Sequence, residues 1–131
     1  MARGLPVEGE RAGEKRAIAF ATQGVVACAP TDTIAAVRAA VAESPFGFAL
    51  VVSSNGTVLG RLRKAILERE EDAVAESVME LGPSTNRPNI STAKLWAKLQ
   101  AADLKTAILT DPEGRLIGVV RRDDLPEANG H

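Results

Sequence analysis

The sequence predicts an α+β fold made of two copies of one β-α-β-β-α unit, related by a pseudo-twofold axis within one compact module. The first observation is an internal repeat: at one constant offset, segment 49–67 aligns without a gap on segment 107–125. In this alignment five of the 19 pairs are identical, and five more exchange one aliphatic residue for another. The second observation is that apolar residues at helical spacing precede both segments, and turn residues interrupt both.

Each unit is predicted to begin with a short extended segment that ends at a proline. These segments are Val25–Pro30 in the first unit and Ser84–Pro88 in the second. Directly after them, Asp32 or Thr33 and, in the second unit, Ser91 can cap a helix, because their side-chain oxygens accept hydrogen bonds from free backbone N–H groups.

The helix that follows is predicted to bury one face. Ile34, Val37 and Val41 recur at three- and four-residue steps in the first unit, and Leu95 and Leu99 do so in the second. This spacing places them on one side of an α-helix.

Two short strands joined by a turn come next in each unit. The apolar strands Phe48–Val52 and Ala107–Leu109 are expected to pack one face against helices and the other against the twin unit. Asn55-Gly56 and Asp111-Pro112-Glu113-Gly114 place glycine and proline where tight turns prefer them.

A second helix is predicted to close each unit, over Arg63–Glu71 in the first and from Arg122 through Leu125 onward in the second. Between them, Glu68–Glu80 is predicted to form a charged helix that ends in Val78-Met79. The expected division is a flexible N-terminal tail at 1–13, a first repeat at 14–71, a second repeat at 72–127 and a C-terminal tail at 128–131.

The composition is that of an ordinary globular protein with few catalytic groups. Of 131 residues, 45% are hydrophobic and 25% charged, and 16 basic residues nearly balance 17 acidic ones. This balance disfavours nucleic acid and anionic membranes as partners. With only Cys28 and His131, an internal disulfide or a Cys/His metal site is excluded, and the common nucleophile–histidine routes to catalysis are disfavoured. Cys28 is expected to be a small buried residue.

The sequence also predicts a cytoplasmic protein. Its longest apolar runs, such as Phe46–Val52, are too short to span a bilayer. Residues Met1–Pro6 lack the apolar stretch of a secretory signal.

Several motifs accompany the repeat: Val78-Met79 stands before the second copy, a proline precedes a helix in each, and Gly118–Leu125 follows the pattern Gly-aliphatic-aliphatic-x-x-x-Asp. Together they resemble a tandem pair of cystathionine-β-synthase (CBS) domains, often called a Bateman module, over about residues 14–127. The resemblance implies disc-like homodimers that form through the helices and regulate another protein. It also implies that adenine nucleotides or S-adenosylmethionine bind in clefts between the paired units.

The resemblance makes Asp124 the principal ligand-binding candidate, because the family's aspartate at this position accepts hydrogen bonds from both ribose hydroxyls. The alternative is an acid that complements the dipole of the last helix. Arg121 and Arg122 are expected at that helix's N-terminus, where cations and free N–H groups suit a phosphate. Arg121 replaces the family's Ser/Thr, which either strengthens phosphate contact or blocks the cleft.

The resemblance assigns further ligand-binding candidates to the same cleft, namely Lys105, Thr106, Gly118, Val119, Gln23, Val25, Phe46 and Gly47. Lys105 and Thr106 are expected to face phosphates, with a solvated strand start as the alternative. Phe46 and its neighbours are expected to surround adenine, with a place in the core as the alternative. Gly118 allows either close approach of a ligand or a tight strand–helix junction.

The equivalent cleft of the other repeat is predicted to be degraded. Ile66 stands where the second repeat has Asp124, Arg63 again replaces Ser/Thr, and Arg61 adds charge nearby. We therefore expect at most one nucleotide site in each chain. Trp96, on the first helix of the second repeat, either anchors the dimer or packs inside the module.

The leading hypothesis from the sequence is a stand-alone, non-catalytic regulatory module that senses an adenosine-containing ligand and signals to an effector protein in trans. The alternative is a ligand-free dimerisation or scaffolding domain whose sites have decayed, which the loss of Asp at Ile66 and of Ser/Thr in both repeats favours. An enzyme ranks third, because Asp123 and Asp124 are adjacent on a helix and point apart.

Overall fold

The structure of the chain, a computed structural model, describes residues 15–69 and 72–129. The predicted tail at 1–13 lies outside the described residues. The first unit contains strands β1 (Val26–Cys28), β2 (Ala49–Val52) and β3 (Val58–Leu62) with helices α1 (Ile34–Ala42) and α2 (Lys64–Leu67), and the 3₁₀ helix Ala17–Phe20 precedes it.

The second unit repeats this order of elements. Its lead-in comprises α3 (Ala75–Val78) and β4 (Glu80–Leu81), and β5 (Thr85–Asn86), α4 (Thr92–Ala102), β6 (Thr106–Thr110) and β7 (Leu116–Arg121) follow. Two 3₁₀ helices, Arg122–Asp124 and Pro126–Asn129, end the described chain. None of the helices within 15–69 and 72–129 is long and apolar enough to cross a membrane.

Each unit has its own mixed sheet. In the first sheet, of order β1-β2-β3-β4, β1 pairs with β2 in parallel and the other pairs are antiparallel. In the second sheet, of order β5-β6-β7, β5 and β6 are parallel, and β6 and β7 antiparallel. The predicted α+β class with two repeated units is confirmed.

The offset of the sequence repeat also relates the hydrogen bonds of the two units. Thr33 caps α1 by accepting from the N–H of Ala36 (3.3 Å), and Ser91 caps α4 by accepting from the N–H of Lys94 (3.2 Å). Asp32, the alternative cap, instead accepts from the N–H of Ala29 (2.9 Å).

The two predicted turns meet at the pseudo-twofold axis. Gly56 and Gly114 both have positive φ angles, of 88° and 85°, which suit glycine because it has no Cβ. The N–H of Val58 donates to the carbonyl of Gly114 (2.9 Å), and the N–H of Leu116 donates to that of Gly56 (2.9 Å). The two hairpins therefore join the units by reciprocal hydrogen bonds.

Each unit has a lead-in segment before its first strand, residues 15–22 in the first unit and 73–81 in the second, and each lead-in packs on the other unit. The N–H of Ile34, at the start of α1, donates to the carbonyl of Ala73 in the lead-in of the second unit (2.9 Å). In the equivalent bond, the N–H of Thr92 donates to the carbonyl of Lys15 (3.0 Å). Because of this exchange, the lead-in of the second unit completes the first unit, and the lead-in of the first unit completes the second.

Three apolar clusters hold the module together. The first lies between α1 and the first sheet and takes in Ala75 from the lead-in of the second unit. The second lies between α4 and the second sheet and takes in Ala17. The third joins the two sheets and consists of Phe46, Leu50, Ile108 and Val119. The predicted packing of each sheet, with helices on one face and the twin unit on the other, is confirmed.

Cys28 and Trp96 both pack inside the module. Cys28 is buried in the first cluster, as expected. Burial raises the pKa of its thiol to about 11, and the negative charge of Asp32 acts in the same direction. Trp96 is partly buried and packs against the second cluster, which favours packing inside the module over an exposed anchor.

The predicted helices that close and connect the units are wrong in length. Within the described residues, the expected helix Arg63–Glu71 covers only Lys64–Leu67, because the side chain of Arg38 donates to the carbonyls of Leu67 and Arg69. The expected helix Glu68–Glu80 is helical only over Ala75–Val78 in the part that the structure describes.

Tertiary pairing explains the shorter connecting helix. Val74 is extended and forms an antiparallel bridge with Thr33. The backbone before α3 therefore pairs with the first unit and does not continue a helix. The helix expected from Arg122 onward is a 3₁₀ turn of three residues, Arg122–Asp124, followed by the extended Leu125.

Candidate functional site

A cleft of about 880 Å³ lies between the two units. The first unit contributes the loop before β2 and the start of α2, and the second contributes the start of β6 and the end of β7. Its lining residues are Pro45, Phe46, Gly47, Phe48, Arg63, Lys64, Ala65, Lys105, Thr106, Arg121, Asp123 and Asp124. This cleft, called the main cleft below, brings together six of the residues predicted for the nucleotide site: Asp124, Arg121, Lys105, Thr106, Phe46 and Gly47.

One wall of the main cleft is aromatic. Phe46 is only 3% exposed because it packs in the cluster between the two sheets. Phe48 stands edge-on to it, with ring centroids 5.8 Å apart and an interplanar angle of 65°. Phe46 therefore combines the two alternatives given for it: its ring is part of the core, and it also borders the cleft.

The charged residues of the main cleft are predominantly cationic. Arg63, Lys64, Lys105 and Arg121 line the cleft, against two carboxylates, those of Asp123 and Asp124. An excess of positive charge beside an aromatic wall is suited to an anion that carries a planar ring.

Arg121 connects the charged residues of this cleft with its aromatic wall. Its Nε donates to Oδ2 of Asp124 (2.9 Å), and its guanidinium carbon lies 5.7 Å from the centroid of the Phe46 ring. The side chains of Arg121 and Asp124 are 42% and 38% exposed. An ion pair this exposed contributes at most about 1 kcal/mol, so a ligand can displace it at small cost.

Thr22 is a further neighbour of Asp124, which the sequence reasoning missed. Its Oγ1 donates to Oδ2 of Asp124 (3.4 Å). The backbone places it there, since the N–H of Thr22 donates to the carbonyl of Val119 (2.8 Å) beside β7. The repeat aligns Thr22 with Glu80, but that Glu80 contacts arginines in the other cleft is visible only in the structure.

The helix N-terminus expected to bind phosphate is a three-residue 3₁₀ turn, and its first backbone donor is already used. The N–H of Arg122 is not free, because it donates to the carbonyl of Lys105 (2.8 Å). The side chain of Arg122 donates to Oε1 of Gln100 on α4 (3.3 Å) and does not line the main cleft. Arg121 and Lys105 are therefore the cations that this part of the second unit offers to a ligand.

Four other predicted site residues also lie outside the lining of the main cleft. Gly118 is buried, and a Cβ placed on it would stand 3.3 Å from the Cβ of Ala21, so it fits the tight-junction alternative. Val119 is fully buried in the cluster between the sheets, and Val25 packs against that cluster. Gln23 is exposed.

The cleft predicted to be degraded is smaller and divided into two parts, of about 310 and 260 Å³. Arg61 and Arg63 line both parts, and Arg63 also borders the main cleft. Glu80 supplies the acid: its Oε1 lies 2.7 Å from Nε of Arg63 and 3.6 Å from Nε of Arg61. Ile66, the equivalent of Asp124, packs against the first apolar cluster.

Arg61 is the most enclosed cation of this second cleft. Its side chain is 15% exposed, and its Nε is buried without a hydrogen-bond partner among the described residues. Burial lowers the pKa of its guanidinium, and the positive charge of Arg63 adds to this, while Glu80 opposes it. Glu80 therefore partly neutralises two arginines that would otherwise face a ligand.

The acids of the described chain do not form a metal centre. Within residues 15–69 and 72–129 there is no group of three or more His, Cys, Asp or Glu side chains that could hold a metal ion. Asp123 and Lys64, which the sequence reasoning did not select, line the main cleft as single charges.

Two pseudo-symmetric units with exchanged lead-in segments and a cleft between them define the class: the chain has the fold of a tandem CBS-domain pair, as the sequence motifs indicate. No protein-family model and no curated protein matches the sequence. Solved structures do match. The CBS domains of a transcriptional regulator from Streptococcus pneumoniae are 16% identical with a TM-score of 0.77, and the match covers 86% of this chain and 98% of that one.

Two further solved structures contain bound ligands. A CBS domain protein from Pyrobaculum aerophilum, complexed with AMP, is 18% identical with a TM-score of 0.71, and the match covers 86% of this chain and 91% of that one. The CBS domain pair of protein MJ0100, in complex with 5′-methylthioadenosine and S-adenosyl-L-methionine, is 12% identical with a TM-score of 0.75, and the match covers 89% and 97%. At these identities the similarity establishes the fold.

Proposed function

We propose that this protein is a regulatory module that binds an adenosine-containing ligand, AMP, ADP, ATP or S-adenosylmethionine, in the main cleft. The observation that carries the proposal is the position of Asp124, which lies in one cleft with Arg121, Lys105 and the aromatic Phe46–Phe48 wall. CBS pairs of the same fold are known in complex with AMP and with S-adenosylmethionine, which supports this ligand class.

Each part of such a ligand has a matching group in the main cleft. The exposed part of Phe48 and the edge of Phe46 offer apolar surface to the adenine ring. The carboxylate of Asp124 accepts hydrogen bonds from ribose hydroxyls. Arg121, Lys105 and Lys64 supply positive charge for phosphate or, less favourably, for the carboxylate of S-adenosylmethionine.

Arg121 has to exchange partners for this binding mode. In the free protein its guanidinium is paired with the carboxylate that ribose requires. When a nucleotide binds, Arg121 leaves Asp124, which then accepts from the ribose, and turns to the phosphate. An Arg121–phosphate ion pair thereby replaces the Arg121–Asp124 ion pair. The arginine at the Ser/Thr position thereby favours phosphorylated ligands over adenosine itself.

The ligand contacts both units, and this supplies a route to regulation. Phe48 and Lys64 belong to the first unit, whereas Lys105 and Asp124 belong to the second. A ligand that binds one arrangement of the units more tightly shifts the population toward it. We propose that a homodimer, formed through the helices, transmits this shift to a cytoplasmic effector protein, without catalysis by the module.

Thermal unfolding with AMP, ADP, ATP or S-adenosylmethionine tests the proposal. A ligand at 100 times its Kd stabilises the protein by about 2.7 kcal/mol, a shift that is readily measured. Asp124→Ala is expected to weaken binding by about tenfold or more, because a hydrogen bond to a charged group contributes about 1.5–3 kcal/mol. Asp123→Ala, which removes the same charge from the same cleft, is the matched control and is expected to change affinity much less.

Two results would contradict this proposal. One is equal affinity in the Asp124→Ala variant and the wild type. The other is binding of two equivalent nucleotides per chain in a calorimetric titration, because the second cleft has Ile66 in place of the ribose-binding acid.

Replacement of Arg121 by threonine separates the two roles open to this residue. If Arg121 binds phosphate, Arg121→Thr weakens AMP binding and leaves adenosine binding unchanged or stronger. If it blocks the cleft, the variant binds both AMP and adenosine more tightly. The ion pair with Asp124 and the contact with Phe46 make these outcomes distinct.

A scaffolding domain without ligand is the second candidate function. The observation in its favour is that the cleft residues already pair with each other. Arg121 forms an ion pair with Asp124 and lies over the Phe46 ring. In the other cleft, Glu80 forms ion pairs with Arg61 and Arg63. An intact dimer that shows no thermal response to any of the four ligands would favour this alternative.

A further inference from the structure

A separate pocket lies on the second unit and shares no lining residue with the main cleft or the second cleft. It has a volume of about 450 Å³ and is lined by Thr85, Asn86, Arg87, Ile90, Lys94 and Lys98. Three of these six residues are cations and none is an acid. We call it the basic pocket.

Two cations of the basic pocket have neutral hydrogen-bond partners. Arg87 donates through Nη1 to the hydroxyl of Thr110 (3.2 Å), and Lys98 donates through Nζ to Oδ1 of Asn86 (2.6 Å). In the part of the chain that the structure describes, none of Arg87, Lys94 and Lys98 forms an ion pair. Lys94 and Lys98 lie one turn apart on the same face of α4, where like charges repel each other.

Asn86 gives the pocket a buried polar wall. This residue is 8% exposed, and its side-chain oxygen holds the ammonium group of Lys98. Its side-chain NH₂ donates to no group within 15–69 and 72–129, and it is available to a ligand in the pocket. The pocket therefore offers an unused donor beside three positive charges, which is the complement of an oxyanion.

The first unit shows that the fold does not require these side chains. At the equivalent positions of the first repeat, Ala29, Ala36 and Ala40 stand in place of Arg87, Lys94 and Lys98. Cys28, an apolar core residue, stands in place of Asn86. The same backbone is thus built without any charge, so the four polar residues are a specific property of the second unit.

We propose that the basic pocket is a second binding site, which takes the phosphoryl group of a small molecule. The guanidinium fork of Arg87 and the ammonium groups of Lys94 and Lys98 match the charge of a phosphate, and the amide of Asn86 adds a neutral donor. A small ligand is favoured over a nucleic acid because the charges converge on one concavity and the whole chain has a net charge of −1. This site is independent of the function proposed for the main cleft.

Titration of the ¹⁵N-labelled protein with pyrophosphate at constant ionic strength tests this site. The amide signals of Asn86, Arg87 and Lys94 are expected to shift in a saturable way. The variant R87A/K94A/K98A carries the side chains of the first unit at these positions and is expected to weaken this binding by about tenfold or more. The matched control R63A/R121A, which removes two cations from the main cleft, is expected to leave these shifts unchanged.

A second variant separates charge from folding. K94R/K98R keeps the positive charges and is expected to retain pyrophosphate binding, and the thermal unfolding of every variant is recorded beside the titration. The proposal is overturned if pyrophosphate produces no saturable shift at these amides, or if R87A/K94A/K98A is folded and binds as tightly as the wild type. Tighter binding of a hexaglutamate peptide than of pyrophosphate would also overturn it, in favour of an acidic protein partner.

Discussion

At equivalent positions the two units differ in the main cleft and in the basic pocket. The second unit has Asp124 in the main cleft, where the first has Ile66, which is partly buried and packs against its core. The second unit also has Lys94 and Lys98 on α4, where the first has Ala36 and Ala40 on α1. Both differences place polar chemistry in the second unit and apolar or small side chains in the first.

The backbone features of the two units, in contrast, coincide. Both first helices have a hydroxyl cap, from Thr33 and Ser91, and both turns have a glycine with positive φ. The backbone interactions that such a unit needs are therefore retained, while the residues that line the main cleft and the basic pocket diverge. To the main cleft, the first unit contributes the aromatic wall and two cations, Arg63 and Lys64.

The largest expected difference between the units lies at their equivalent strand glycines, Gly60 and Gly118. A Cβ on Gly60 would stand 2.6 Å from Sδ of Met79 and 2.8 Å from the carbonyl oxygen of Glu80, whereas one on Gly118 would stand 3.3 Å from the Cβ of Ala21. Gly60→Ala is expected to lower the free energy of unfolding by about 3 kcal/mol and Gly118→Ala by about 1 kcal/mol or less. Urea unfolding of both variants measures this.

This pair of variants also tests how firmly each lead-in segment is held. Gly60 lies under the lead-in of the second unit, and Gly118 lies under that of the first. Equal losses of stability in the two variants would contradict the inference that β4 packs more closely on its neighbour than the segment around Ala21 does.

Local sequence signals were sufficient for most elements within a unit. The caps, the turn glycines and the spacing of Leu95 and Leu99 all act over a few residues, so the pattern predicts them and the repeat doubles the signal. The exchange of lead-in segments has no such local signal. It depends on hydrogen bonds such as that from the N–H of Ala17 to the carbonyl of Ile90 (2.9 Å), which joins residues far apart in the chain.

The site was predictable where the chain matches the family resemblance. Asp124, Arg121 and Phe46 follow from that resemblance, and all three border the main cleft. Gly118 and Val119 do not, because β7 is covered on both faces, and so its residues do not alternate between buried and exposed positions. Thr22 was missed since its place beside Asp124 depends on the exchanged lead-in.

A smaller difference is expected between Cys28 and its equivalent, Asn86, as the pH rises. Burial raises the pKa of the Cys28 thiol from 9.0 to about 11, so the folded protein keeps the proton that the unfolded chain loses. The stability from the neutral thiol is present below pH 9 and is lost as the pH approaches 11. Each unit of pKa difference corresponds to about 1.4 kcal/mol, and at pH 11, where the folded thiol is itself half ionised, the loss amounts to about 2 kcal/mol.

Urea unfolding of the wild type and of Cys28→Ala, measured from pH 7 to pH 11, isolates this effect. The variant is less stable at neutral pH because it loses buried volume, but its stability is expected to fall less steeply above pH 9. Asn86 does not titrate, so the alkaline effect is confined to the first unit. Parallel pH profiles for the two proteins would show that the thiol does not contribute.

The smallest expected effect concerns the helix caps, at which the two units are most alike. Thr33 and Ser91 each accept one hydrogen bond at the first turn of a helix, at 3.3 and 3.2 Å. Thr33→Ala and Ser91→Ala are each expected to lower the free energy of unfolding by about 1 kcal/mol, the usual contribution of such a cap. Equal losses of unfolding free energy, measured by urea unfolding, would show that the two caps contribute equally to stability as well as having the same geometry. A loss at Ser91 several times that at Thr33 would instead show that the second unit relies more on its cap, because the buried Ser91 has no water to replace the missing hydroxyl.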